Sequence, residues 1–112
     1  MDKLKRNEQV ELLGFLANCL QNGFSLTKSL QLLPLLWPKK RAVLQRLDQQ
    51  MRQGEHLSSL LAGLGFGKTT VTQLNMAMSQ GRLTESLTQL TVLGRMKNEQ
   101  IKKLQAELAY PA

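Results

Sequence analysis

Gly65-Phe66-Gly67-Lys68-Thr69-Thr70 is the segment of this 112-residue chain that comes nearest to reactive chemistry. A glycine-rich turn running into lysine and threonine is how a phosphate-binding loop surrounds phosphoryl oxygens with backbone N–H groups. The spacing here does not meet that requirement. The motif needs a glycine five positions before Gly67, where the chain has Ala62, and residues 57–64 read as a helix rather than the required strand. The segment is therefore read as a turn between helices, with glycine supplying unusual backbone angles. His56 is the only histidine and Cys19 the only cysteine, so no set of Cys and His ligands for a metal exists, and His56 is expected at the surface at the start of a helix. The eight acidic residues are scattered, mostly near lysine or arginine. Ser25, Ser58 and Ser86 sit where helix starts want them. With no paired carboxylates and no nucleophile–base pair, no catalytic, cofactor-binding or metal-binding residue is assigned, and an enzyme is not expected.

What the chain does carry is a repeated construction. Gly23 leads into Leu26 and Leu30, Gly54 into Leu57 and Leu61, and Gly81 into Leu83 and Leu87. Each glycine closes one helix and the leucines four apart give the next an apolar face. The first helix is expected over residues 7–21, with Val10, Leu13, Ala17 and Leu20 widened by Leu12, Leu16 and Cys19, and with Gly14 marking a close approach. Ser25 is a suitable N-cap for a short second helix over 26–33, which Pro34 and Pro38 end around Trp37. Pro38 opens a third helix to 52, with Val43, Leu44, Leu47 and Met51 on its apolar face. The fourth is expected over 57–64, and the fifth from a cap at Thr69 or Thr70 to Gly81. The sixth and longest covers 83–109. Its four–three alternation of Leu and Ile is interrupted at Gly94 and Lys97, so its first half is expected to pack on the bundle and its second half to project. Leu35, Leu36, Trp37 and Phe66 are assigned to the core. The fold class is all-α: one domain over 1–112, a six-helix bundle of three helical hairpins at about 9–109 with a long last helix leading toward a membrane segment.

Composition narrows the partners. A net charge of +7 suggests an anionic neighbour, and an aromatic content of 4% argues against base-stacking platforms. The lone Cys19 suits a reducing compartment. No secretory signal is visible and no apolar run is long enough to span a bilayer. The basic residues cluster at Lys3, Lys5 and Arg6, at Lys39, Lys40 and Arg41, and at Arg95, Lys97, Lys102 and Lys103. The last cluster has the charge of a cytoplasmic segment just before a membrane helix, where anionic lipid would attract it. A small basic helical nucleic-acid-binding protein is the alternative, but neither the third nor the sixth helix belongs to a compact trihelical reading unit.

Four stretches taken in order are similar to the type II secretion F domain of the GspF/PilC/ComGB platform family. Residues 16–30, LANCLQNGFSLTKSL, resemble its opening hairpin. Met51-Arg52-Gln53-Gly54 followed by LSSLL at 57–61 resembles the second hairpin, and GRLTESL at 81–87 the third. The closing Leu108-Ala109-Tyr110-Pro111-Ala112 is similar to the family's Tyr-Pro boundary before its first transmembrane helix. The short N-terminal lead looks most like the competence pseudopilus branch, the ComGB type. The resemblance implies the first cytoplasmic domain of a multi-pass protein on the cytoplasmic face of the bacterial plasma (inner) membrane, cut just before a transmembrane helix. It implies contact with an assembly ATPase, pilin or pseudopilin and other platform subunits, self-association, no cofactor and no direct nucleic acid. Lys39, Lys40, Arg41, Arg52, Arg95, Lys102 and Lys103 are the candidate partner-binding residues, from charge and position. Ala77-Met78 and Thr84 stand where the family usually has carboxylates, so no metal-binding or charge-pairing role is carried over to them.

Overall fold

The computed structural model describes residues 3–109; the Tyr110-Pro111 boundary lies outside the described residues. Six α-helices account for most of these residues: α1 (Arg6–Gln21), α2 (Leu26–Leu36), α3 (Arg41–Arg52), α4 (Leu57–Gly63), α5 (Lys68–Ser79) and α6 (Leu83–Ala109). A 3-10 turn, Pro38–Lys40, joins α2 to α3, and no strand occurs among the described residues. The turns at Gly23, Gly54 and Gly81 have φ of +89°, +91° and +72°, as a helix stop in the left-handed region requires. Ser25 caps α2 by accepting a hydrogen bond from the Lys28 N–H at 3.1 Å.

Three local expectations change. Pro34 lies inside α2 rather than ending it. Its ring removes one helical N–H, yet the burial of Leu30 and Leu33 holds the last turn, where the Trp37 N–H still reaches the Leu33 carbonyl at 3.3 Å. The cap of α5 is Gly67, not Thr69 or Thr70, because the backbone is already helical at Lys68. Ser58 and Ser86 are inside α4 and α6, so neither caps a helix.

The core is leucine-built. Leu12, Leu16, Leu33, Leu44, Leu57, Leu61, Leu74 and Leu87 are fully buried, drawn from all six helices. Phe66 belongs to this core, and Leu36 and Trp37 pack against it half-buried, whereas Leu35 is 72% exposed. The broadest packing joins α1 to α6, with α2 on α3 next. Consecutive helices α3 and α4 barely touch. Gly14 and Gly94 make the α1–α6 approach possible, a close approach expected at Gly14 but not at Gly94: a Cβ on Gly14 would lie 3.2 Å from Thr91 Cγ2, and one on Gly94 only 2.6 Å from Val10 Cγ2. Past Ile101 the helix projects from the bundle, with Leu104 57% and Leu108 76% exposed. A 27-residue helix is ~40 Å long, which accounts for the long axis of 55 Å.

Leu4 was not anticipated in the core. The chain before α1 folds onto the turn after α4, where the Leu4 N–H donates to the Leu64 carbonyl at 2.8 Å. Gln9 locks this arrangement, its amide donating to the carbonyls of Leu4 at 3.1 Å and Gly65 at 3.2 Å.

Candidate partner-binding surface

The candidate residues fall at two places, and their availability differs. Lys39 and Lys40 belong to the 3-10 turn that Pro38 opens, and Arg41 begins α3. Lys40 is committed: its ammonium lies 3.4 Å from Glu8 on α1. Glu8 is itself held at the start of α1, where its carboxylate accepts the Lys5 backbone N–H at 2.9 Å. That hydrogen bond, with Lys40 alongside, holds the Glu8 carboxyl below its usual 4.5, against the opposing effect of burial. One turn further along α1, Glu11 accepts the indole N–H of Trp37 at 3.1 Å. Two carboxylates spaced three residues apart on α1 thus pin the α2–α3 connection.

Arg52 is also engaged, its Nε 3.2 Å from Asp48 Oδ2 one turn earlier in α3. Lys39 and Arg41 are exposed and form no ion pair among the described residues. Arg41 borders a cleft with Leu30, Pro34, Leu35, Leu44 and Asp48, and there the second oxygen of Asp48 is buried without a hydrogen-bond partner.

Arg95 stands on α6 above Gly14, where a glycine on α1 leaves room for its guanidinium. It rims a groove of about 500 Å³ between α1, α6 and the end of α2, lined also by Glu11, Phe15, Asn18, Leu36 and Thr91. Glu11, which accepts the Trp37 indole N–H, lines this groove together with Arg95. Of the candidate residues Arg95 lines this groove, whereas Lys39, Lys40 and Arg41 lie at the α2–α3 connection that Glu8 and Glu11 hold to α1. Arg52 is left at the far end of α3, and Lys102 and Lys103 are exposed on the projecting half of α6.

Glu8, Glu11 and Trp37 were not assigned to this surface from the sequence. Glu8 three residues after Lys5 has the spacing of a capping box, but lysine in place of serine or threonine conceals it. Glu11–Trp37 has no local signal, since 26 residues separate the partners. His56 is exposed at the N-cap position of α4, and Cys19 is a buried free thiol on α1. Among the described residues no group of three or more His, Cys, Asp or Glu converges, and no helix is long and apolar enough to cross a membrane.

Residues 12–112 match the family model of type II secretion system (T2SS), protein F. No curated protein matches the chain.

Proposed function

Because this chain belongs to the type II secretion system protein F family, a family of secretion and pilus platform proteins, we propose that it is a non-enzymatic cytoplasmic domain coupling an assembly ATPase to pilin assembly. The filament served is a competence pseudopilus for DNA uptake or a type II secretion pseudopilus. The observation that carries this reading is the extent of the match, which begins inside α1 and takes in every later helix.

In this reading the bundle is a rigid adaptor. Motion imposed by the ATPase on one part of its surface passes through a leucine core that does not deform continuously. Lys39 and Arg41, the unpaired cations at the start of α3, are the best placed to meet acidic residues of the ATPase. Lys40 and Arg52 support that surface through their carboxylate partners. Lys102 and Lys103 face the anionic inner leaflet as α6 approaches the membrane, and pilin and other platform subunits engage the assembled oligomer.

Co-purification of the chain with the assembly ATPase of its own system tests the proposal. Capture is expected, reduced at least about tenfold by the double change Lys39→Glu and Arg41→Glu. No capture by the wild-type chain would overturn the ATPase-coupling role. Tight binding to duplex DNA that weakens steeply with added salt would favour the nucleic-acid-binding alternative instead.

A further inference from the structure

Two basic clusters nearly ninety residues apart in sequence meet at one small cleft. Arg6 opens α1 and Lys97 lies midway along α6, and both border a space of about 150 Å³ beside Thr70 of α5. The Val10–Gly94 approach brings the two helices together there. The Gln9 amide fixes the start of α1 to the turn before α5, so the rims come from elements already held in register.

The charge of this cleft sets it apart from four others on the bundle. The lining of each of those holds both an arginine and a carboxylate: Arg95 and Glu11, Arg46 and Glu55, Arg41 and Asp48, and Arg82 and Glu85. The lining of the Arg6–Lys97 cleft contains no acidic side chain. Neither cation forms an ion pair among the described residues, and the Thr70 hydroxyl and Asn98 carboxamide at the same cleft have no hydrogen-bond partner among them. The floor is apolar, made by Val10, Leu13, Phe66 and Leu90, and low-polarity walls strengthen the field of the two cations.

We propose that the Arg6–Lys97 cleft is a binding site for a phosphoryl group, carried by an anionic lipid headgroup or by a free phosphate. Two cations on opposite rims and two neutral donors offer more hydrogen bonds than the two oxygens of a carboxylate conveniently accept. They suit the three terminal oxygens of a phosphoryl group, with the arginine able to bind in a bidentate manner. The site is separate from the Lys39–Arg41 surface and does not depend on the role proposed for that surface.

Two binding arms distinguish the sources. In one, the chain is titrated with potassium phosphate against potassium chloride at equal ionic strength, and amide NMR shifts are followed at Thr70 and Asn98. In the other, flotation is measured with phosphatidylcholine vesicles with and without phosphatidic acid. Saturable binding is expected in at least one arm. Binding only to vesicles assigns the lipid headgroup, and binding to phosphate assigns the free anion. Arg6→Gln and Lys97→Gln should each weaken binding about tenfold, while Lys28→Gln, at an exposed lysine on α2, leaves it unchanged. The exposed position of Lys97 keeps that variant folded even if Arg6→Gln disturbs the start of α1. No saturable binding in either arm, or equal weakening by Lys28→Gln, would overturn the proposal.

Discussion

Val10 of α1 lies directly against the backbone of α6 at Gly94, so closely that a Cβ there would sit 2.6 Å from Val10 Cγ2. Replacing Gly94 with alanine sets two effects against each other. Helix propensity favours alanine by about 1 kcal/mol, while overpacking against a stiff β-branched neighbour costs about 1–3 kcal/mol. Gly94→Ala should therefore lower stability by about 1 kcal/mol in urea unfolding. In a Val10→Ala background the same change should become stabilising, and a double-mutant cycle measures the coupling.

Gly14 should behave differently, because its neighbours are Thr91 Cγ2 and the far end of Arg95, each 3.2 Å from the place an alanine methyl would take. Arg95 moves away freely. Thr91 is held by its hydroxyl donating to the Leu87 carbonyl at 2.7 Å, so it yields only slightly. Crowding and the propensity gain of about 1 kcal/mol nearly cancel, and the midpoint for Gly14→Ala should stay close to that of the parent chain.

Leu4 tests the missed part of the core. It is buried although it precedes every helix, and its N–H is bonded to Leu64. Leu4→Ala should cost about 2–3 kcal/mol, whereas Lys5→Ala, at an exposed side chain, should cost only a few tenths. Equal, small losses would show that this lead is not docked in solution.

Glu8 gives stability a pH dependence with a definite sign. Its folded-state pKa is depressed, so its contribution is present above the ordinary value of 4.5 and is lost as pH falls through the lower folded value. The group is partly solvated, so the contribution at pH 7 should be under about 1 kcal/mol. Thermal unfolding between pH 6 and pH 3 should show a smaller fall in Glu8→Gln than in the parent chain.

The projecting end of α6 should be dispensable for folding. Leu104→Ser and Leu108→Ser, at positions 57% and 76% exposed, should change stability by less than about 0.5 kcal/mol. Leu87→Ala, fully buried on the same helix, should cost about 3 kcal/mol.

Much of the fold was legible because leucines at helical spacing and glycines at positive φ are local signals. The stops at Gly23, Gly54 and Gly81 and the change of character along α6 follow from neighbours within a turn. Pro34 was misjudged because the usual rule weighs only the lost hydrogen bond, while burial of Leu30 and Leu33 supplies the compensation. Lys40–Glu8, Trp37–Glu11 and Leu4–Leu64 were out of reach for another reason: each joins residues distant in sequence, and neither partner has a distinctive context. The basic candidates were therefore identified as charges, but which of them stay unpaired became visible only once the helices were packed.

The dominance of α1–α6 packing governs how the chain is made. The ribosome releases α1 early, and α6 is synthesised after the other five helices. Until then α1 lacks its principal partner, and part of the apolar stripe around Leu13 and Leu16 remains uncovered. Contacts between such distant segments slow folding, and uncovered apolar surface in the meantime invites aggregation. The nascent bundle therefore depends on prompt completion of α6, and a ribosome stalled before residue 83 would hold a chain that cannot close its core.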